Sequence, residues 1–179
     1  ELISDQKRMT DIQALSIDDI LPGARITAAS VANAASSSFF ISGAGGSIGS
    51  EITRQILLNN PKIIILFEMS EFNLFKIEGE CRVIKSSENL STLVIPILGD
   101  IRDTENLKHI FCKYSIDTVY HAAAYKHVPL VEDEHNIAKA AENNILGTFN
   151  LAQAAIQNNV SSFVMISTDK AVRPTNVMG

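Results

Sequence analysis

Short apolar runs alternate with amphipathic stretches along most of the chain. Five runs rich in Ile, Val, Leu and Phe predict strands, at Phe39–Ile41, Lys62–Glu68, Leu93–Leu98, Asp117–His121 and Ser162–Ser167. Four helical patterns lie between them, at Ser50–Leu58, Glu71–Ile84, Thr104–Lys113 and about Asn136–Gln157. Continuous apolar strands separated by helices are typical of a parallel sheet that helices cover on both faces. The predicted fold class is α/β, a doubly wound parallel sheet of the Rossmann type.

Two details refine this pattern. Pro96 interrupts the third run, and because proline cannot donate to a ladder, that strand is expected to be broken or to lie near an edge. In the last helical pattern, apolar residues recur every three or four positions and form one stripe. The stripe consists of Ile137, Ala141, Ile145, Phe149, Ala152 and Ile156.

Composition limits the class of protein. With 179 residues, 46% of them hydrophobic, the chain is long enough for one core and one domain. A net charge of −5 without a basic cluster argues against nucleic acid as a partner. Apolar runs of at most seven residues exclude a transmembrane helix in this chain. Cys81 and Cys112 stand alone, and we expect both to be buried, reduced thiols of a cytosolic domain.

The two ends of the chain carry separate expectations. Residues 28–38 are small and polar, so we interpret 1–38 as a lead-in segment and linker and 39–179 as the dinucleotide-binding domain. The last predicted strand is followed by only a few residues. We therefore expect a piece of a longer protein, incomplete at its C-terminal end and inactive on its own.

A glycine-rich turn follows the first predicted strand. Gly43 would allow a sharp turn, Gly46 would let the backbone approach a pyrophosphate, and Gly49 would let the helix lie close to the strand. The helix that starts near Ser47 and Ile48 would offer its N–H groups to the phosphates. This spacing predicts a dinucleotide site.

Acidic residues end the next two strands. Glu68 lies 19 positions after Gly49, where a carboxylate can bind both ribose hydroxyls and repel a 2′-phosphate. We therefore expect NAD as the cofactor, with NADP as the alternative. The adenine is expected near Asp100 and Ile101, with Asp100 accepting a hydrogen bond from the adenine amine, capping the following helix, or doing both.

A second cluster, His121-Ala-Ala-Ala-Tyr-Lys-His127, follows the fourth strand. Three small side chains, Ala122, Ala123 and Ala124, leave room for a nicotinamide ring and its ribose, and Lys126 and Asn144 are expected to contact the cofactor. We expect no metal site among the nearby histidines and acids, because no pair of histidines has the spacing of ligands on a helix face.

A third cluster directly follows the fifth strand. Thr168, Asp169 and Lys170 supply a hydroxyl, a carboxylate and an amine at the edge where an open parallel sheet binds its ligands. Their position favours chemistry over an ordinary surface pair of charges.

These motifs together resemble those of bacterial nucleotide-sugar 4,6-dehydratases of the polysaccharide-biosynthesis family, which are extended short-chain dehydrogenase/reductases. The resemblance covers about residues 39–179, and the region 28–38 departs from it. The matching stretches are SGAGGSIGSEI (42–52), EMSEFNLFKIE (68–78), GDIRD (99–103), VYHAAAYKHVPLVE (119–132), NNILGTFNLAQAA (143–155) and STDKAVRPTNVMG (167–179).

The resemblance implies a reaction and a role for each residue. A UDP-N-acetylhexosamine would be oxidised at C4, lose water across C5–C6 and be reduced at C6, in capsule, O-antigen or glycan synthesis. Asp169 would protonate the departing C6 hydroxyl, Lys170 would remove the C5 proton, and Thr168 would bind the C4 oxygen. Met178 occupies the position of the usual tyrosine and has no acid–base chemistry, so a water or Asp169 is left as the base for the C4 hydroxyl.

The same resemblance implies the setting of the protein. It predicts a UDP-sugar as partner, a homo-oligomer, and a cytoplasmic domain of a bacterial inner-membrane protein whose membrane region precedes this chain. Two alternatives remain: a UDP-sugar 4-epimerase, which needs no elimination apparatus such as Asp169 and Lys170, and a non-catalytic NAD-binding domain.

Overall fold

All strands in the described part of the chain belong to one parallel sheet. The structure is a computed structural model, in which residues 12–15 and 34–168 are described. The strands are β1 (Ile12–Leu15), β2 (Ser38–Ser42), β3 (Ile63–Glu68), β4 (Leu93–Leu98), β5 (Thr118–His121) and β6 (Ser162–Ile166). Their order across the sheet is β1–β6–β5–β2–β3–β4, and every pair of neighbours is parallel. The chain reverses its direction of winding between β2 and β5, which is where doubly wound folds bind ligands.

Helices connect successive strands and cover both faces of the sheet. They are α1 (Ser47–Leu57), α2 (Glu71–Ser87), α3 (Thr104–Lys113), α4 (Val128–Val131), α5 (Ile137–Ala141) and α6 (Thr148–Gln157). A π-helical turn, Glu142–Gly147, joins α5 to α6, and the residues at both junctions keep helical dihedral angles. The predicted Rossmann-type class is confirmed by this layered α/β/α arrangement.

The alternation of side chains along the strands divides the core in two. Phe39 and Ile41 point to the face covered by α1 and α2, where Ile52, Ile56 and Ile77 pack against them. Phe40, Ile65 and Phe67 point to the opposite face, which α3 and α6 cover with Leu107, Phe111, Leu151 and Ala155. Both faces of the central strands are buried, as their continuous apolar sequences predict.

The two edges of the sheet differ in how well the sequence predicts them. β4, which contains Pro96, is an unbroken edge strand, so the expectation of an edge position is confirmed. The other edge is β1, which pairs with β6 and comes from the segment interpreted as a lead-in. Four residues of mixed polarity carry no strand signal, and sequence analysis did not identify β1.

The predicted apolar stripe of the last helix does not face the core. Ile145 and Phe149 are 66% and 58% exposed, and Ile137 and Ile156 are exposed as well. The buried residues of this helical stretch are instead Ala140, Asn143, Gly147, Leu151, Ala154 and Ala155. The π turn explains part of the difference, because its wider winding shifts the helical phase that a regular period assumes.

The two cysteines lie in different environments. Cys81 lies on the buried face of α2, and desolvation raises the pKa of its thiol to about 12. Cys112 is exposed, so the expectation that both thiols are buried is wrong for this residue. Cys112 lies on the outer face of the last turn of α3, and the sequence pattern there is too short to predict which face is exposed. Within the described residues, no helix is both long enough and apolar enough to cross a membrane.

α1 lies unusually close to the turn that precedes it, and Gly49 makes this possible. A Cβ atom on Gly49 would lie 2.0 Å from the carbonyl oxygen of Gly43 and 2.7 Å from its carbonyl carbon. Both are backbone atoms that cannot rotate away. Gly49 therefore fixes how near the N-terminus of α1 lies to the end of β2.

We predict that Gly49→Ala destabilises the protein by at least about 2 kcal/mol, because the backbone must move to accept the methyl group. Gly79→Ala is the matched control, since Gly79 is also inside a helix but a Cβ there meets nothing within 4 Å. Gly79→Ala should stabilise the protein by about 0.5–1 kcal/mol through helix propensity. Urea unfolding of both variants measures the difference, and equal effects at the two sites would contradict the packing role of Gly49.

Candidate functional site

The glycine turn, Gly43–Gly46, lies at the carboxyl end of β2, where the sheet reverses its winding. Gly43 has φ +66°, and a Cβ there would lie 2.8 Å from the backbone nitrogen of Ala123. The Gly43 N–H donates to the carbonyl of Phe67 at the end of β3 over 2.9 Å. The turn therefore draws the ends of β2, β3 and β5 together, and only glycine suits its first position.

The N-terminus of α1 opens from this turn toward a cavity. Gly46 is the N-cap residue and provides no side-chain cap for the first helical N–H groups. A Cβ on Gly46 would approach only the carbonyl oxygen of Gly43, at 3.3 Å, so its other side is open. Ser47 is exposed and Ile48 half-buried at the start of the helix. An uncapped helix start on a glycine turn suits a phosphate group.

Glu68 brings a buried carboxylate to the same turn. Its side chain accepts hydrogen bonds from the Gly45 N–H and the Ser70 N–H, each over 3.0 Å. The residue is 8% exposed and lines a cavity of about 150 Å³. No lysine or arginine is among the described residues that line this cavity. A carboxylate at this point suits a ribose with free hydroxyls and opposes a 2′-phosphate.

Asp100 and Ile101 form the far wall of this cavity, as expected for an adenine site. Both oxygens of Asp100 accept hydrogen bonds from the Arg102 side chain, and these bonds hold the pKa of the carboxyl below its usual value. Asp100 does not cap α3, so that alternative is wrong. Asp103 caps the helix instead, accepting from the Asn106 N–H over 3.0 Å, because it directly precedes the first helical residue.

The other half of the site lies beyond β5. A second cavity of about 350 Å³ is lined by residues that include Ala122–Ala124, Lys126, Asn144 and Thr168. The three alanines belong to the loop after β5, and they line both cavities. Thr168 therefore lies near the predicted nicotinamide position. Asp169, Lys170 and Met178, which carry the remaining predicted chemistry, are outside the described residues.

Asn144 uses its side chain to hold the loop after β5. Its amide nitrogen donates to the Tyr125 carbonyl, and its amide oxygen accepts from the Tyr125 N–H, each over 2.9 Å. Asn144 is predicted to contact the cofactor, and its side-chain amide already has two backbone partners, both in Tyr125. Lys126, next in the loop, is exposed.

Sequence analysis missed the role of His121, the last residue of β5. Its Nδ1 lies 2.7 Å from the hydroxyl of Ser42, and its Nε2 lies 2.8 Å from the hydroxyl of Thr148. The ring is 3% exposed, and burial lowers its pKa to about 4, so the ring is neutral at pH 7. Thr148 is 27 positions away along the chain, and no local sequence signal connects it to His121.

Among the described residues, no three His, Cys, Asp or Glu side chains group closely enough to hold a metal ion.

Comparison with known sequences identifies the relatives of this chain. A sequence profile described as "Polysaccharide biosynthesis protein" matches residues 39–179. The whole chain is 38% identical to the capsular polysaccharide biosynthesis protein CapD of Staphylococcus aureus and covers 30% of it. Over 78% of its length the chain is 35% identical to a UDP-N-acetylglucosamine 4,6-dehydratase (inverting) of Campylobacter jejuni and 34% identical to a UDP-glucose 4-epimerase of Rickettsia canadensis. It covers 38% of each, so it spans about a third of the length of these curated relatives.

Solved structures share the fold. Pen from Bacillus thuringiensis superimposes with a TM-score of 0.70 and 34% identity, over 82% of this chain and 42% of that one. WbmH from Bordetella bronchiseptica, crystallised in complex with NAD+, superimposes with a TM-score of 0.55 and 25% identity, over 75% of this chain and 40% of that one.

Proposed function

The chain belongs to the polysaccharide biosynthesis protein family, and on that premise we propose that it is the NAD-binding part of a UDP-N-acetylhexosamine 4,6-dehydratase. The observation that carries the proposal is the buried carboxylate of Glu68 on the Gly43–Gly46 turn, at the point where the sheet reverses its winding. That arrangement suits a dinucleotide with a free 2′-hydroxyl. The dehydratase relative from C. jejuni supports the reaction, and the complex of WbmH supports the cofactor.

We assign different described residues to different parts of NAD. The start of α1, with Gly46, would hold the pyrophosphate, and Glu68 would bind the adenosine ribose. The cavity wall at Asp100 and Ile101 would face the adenine, and Ala122–Ala124 would leave space for the nicotinamide. NAD, when bound, supplies a hydride acceptor for C4 of the sugar and a hydride donor for C6.

We predict that the chain binds NAD at least about tenfold more tightly than NADP, because a 2′-phosphate would meet the desolvated Glu68 carboxylate. Glu68→Gln removes the charge and should reduce this preference severalfold. Glu71→Gln is the control, since Glu71 is exposed on the first turn of α2 and should leave the ratio unchanged. Calorimetric titration of each protein with both dinucleotides measures the ratio; tighter binding of NADP to the unaltered chain would contradict the assignment of Glu68.

We assign the elimination step to residues that follow β6. Thr168, at the rim of the second cavity, would hydrogen-bond the C4 oxygen of the sugar. Asp169 would then protonate the departing C6 hydroxyl, and Lys170 would take the C5 proton that the C4 ketone makes acidic. Met178 has no proton to give or accept, so Asp169 or a water would take the C4 hydroxyl proton.

A second candidate function is a UDP-sugar 4-epimerase, which the R. canadensis relative supports. An epimerase oxidises C4 and returns the hydride to the same carbon, so it has no use for an acid at C6 and a base at C5. The adjacent Asp169 and Lys170 favour the dehydratase. A third candidate, a domain that binds NAD without turnover, would give no product from any UDP-sugar.

We predict that Asp169→Asn and Lys170→Ala each slow dehydration by about 10²–10⁴-fold in the intact protein, the usual contribution of a general acid or base. Both variants should still oxidise C4 and accumulate a 4-keto sugar that retains its 6-hydroxyl. Mass spectrometry of the sugar and stopped-flow absorbance of the reduced nicotinamide separate the two steps.

The control for these variants is Lys62→Ala, an exposed lysine at the opposite end of the sheet, which should dehydrate normally. Near wild-type dehydration by either test variant would refute its assigned role. Loss of C4 oxidation in Asp169→Asn alone would make Asp169 the base for the C4 hydroxyl.

A homo-oligomer and a membrane attachment complete the proposal. The exposed apolar residues of α5, the π turn and α6 form a face that a second copy of the chain would cover, and light scattering of the purified chain measures its oligomeric state. A membrane region before this chain is proposed from the family resemblance alone, and fractionation of cells that express the intact protein tests it.

A further inference from the structure

The buried His121 and the half-buried Thr148 form a hydrogen-bonded bridge between the end of β5 and α6. Thr148 is the first residue of α6, directly after the π turn Glu142–Gly147. Its hydroxyl oxygen lies 2.8 Å from His121 Nε2 and 2.7 Å from the carbonyl oxygen of Asn144. The second ring nitrogen of His121 lies 2.7 Å from the hydroxyl of Ser42, the last residue of β2. The bridge therefore joins two strand ends to one helix.

The proton positions in this bridge follow from the number of donors. Thr148 has one hydroxyl proton, and the Asn144 carbonyl can only accept, so that proton goes to Asn144. The Thr148 oxygen must then accept from Nε2–H of His121. Because burial keeps the ring neutral at pH 7, Nδ1 carries no proton and accepts that of the Ser42 hydroxyl. His121 is thus a neutral ring in a single tautomer with both nitrogens occupied. It has no free lone pair for a general base or for a metal ion.

The His121–Thr148 bridge and the paired hydrogen bonds of Asn144 hold the two ends of one short loop. His121 fixes the start of the loop, and the paired hydrogen bonds of Asn144 fix Tyr125 at its other end. Ala122–Ala124 lie between these two points and line both cavities of the site. Asn144 is inside the π turn, and π turns in helices occur frequently at functional sites.

We propose that His121 is a positioning residue, held as the Nε2–H tautomer between Ser42 and Thr148, that sets where the Ala122–Ala124 wall stands against the nicotinamide half of the cofactor. The ring and Thr148 border the second cavity, but the ring is only 3% exposed, and we assign its effect to the position of the loop. The inference rests on the proposed function for its effect on NAD, whereas its effect on the loop is independent of that function.

Thr148→Val and Thr148→Ser test the bridge in the purified chain. Valine keeps the shape of threonine and removes the hydroxyl, whereas serine keeps the hydroxyl and is expected to rescue the loss. Thr53→Val is the control, because the hydroxyl of Thr53 likewise donates to the carbonyl oxygen four residues earlier, that of Gly49, over 2.8 Å. It removes the same kind of helix bond without removing a partner of His121.

The first readout needs no ligand. Long-range ¹H–¹⁵N spectra should show His121 as the Nε2–H tautomer in the unaltered chain, and the Nδ1–H tautomer would overturn the proposal. The Ala122 N–H is bonded to Ser42 O and the Tyr125 N–H to the Asn144 side chain, so both amides report on the loop. Thr148→Val should speed their hydrogen exchange about tenfold, the effect of losing one buried hydrogen bond. Thr148→Ser and Thr53→Val should leave it within about twofold; equal acceleration in Thr53→Val would overturn the proposal.

The second readout is NAD affinity. Thr148→Val should weaken NAD binding by about tenfold, with Thr148→Ser and Thr53→Val close to the unaltered chain. Unchanged affinity in Thr148→Val would overturn the positioning role. If the unaltered chain itself failed to bind NAD, the proposed function would fail, and the exchange rates would still decide whether the bridge positions the loop.

Discussion

The close approach of α1 to the glycine turn is the constraint on which the rest of the site depends. Gly49 has no side chain, so the first turn of the helix rests directly on the carbonyl of Gly43. Gly43 in turn adopts a positive φ and faces the backbone of Ala123. These two contacts bring a helix N-terminus, the end of β3 and the loop after β5 to one place. The groups that we assign to NAD binding surround that point, and we expect a methyl group on Gly49 to displace these groups together.

The two halves of the site are held by different physical means. In the half assigned to adenosine, neighbouring donors hold two carboxylates in place. Backbone N–H groups donate to Glu68, and the Arg102 side chain donates to Asp100, whose lowered pKa keeps it ionised. In the nicotinamide half, the fixed groups are neutral: the buried His121, two hydroxyls and the amide of Asn144. Carboxylates in the half assigned to adenosine suit a ligand with free hydroxyls. In the half assigned to the nicotinamide, the exposed Lys126 is the charged side chain among the described lining residues.

Sequence analysis predicted the features that depend on local pattern. Five strands, the edge position that Pro96 requires, the glycine turn and the strand-end position of Glu68 each follow from a few adjacent residues. The features that it missed depend on distance or on helical phase. The four residues of β1 are recognisable as a strand only because β6 lies beside them, and His121 meets Thr148 across 27 positions. The π turn changed the phase of the last helix, so a stripe with regular spacing turned out to be exposed. The cap of α3 is Asp103 and not Asp100, because the helix begins at Thr104 and Asp103 directly precedes it.

If NAD binds at the carboxyl ends of the strands, amide chemical-shift mapping of the ¹⁵N-labelled chain during NAD titration will locate it there. We expect saturable shifts concentrated in Gly43–Gly49, around Glu68 and Asp100, and in Ala122–Ala124, with the amides at the amino ends of the strands unchanged. Shifts that lie elsewhere, or no saturable shifts at millimolar NAD, would contradict this assignment.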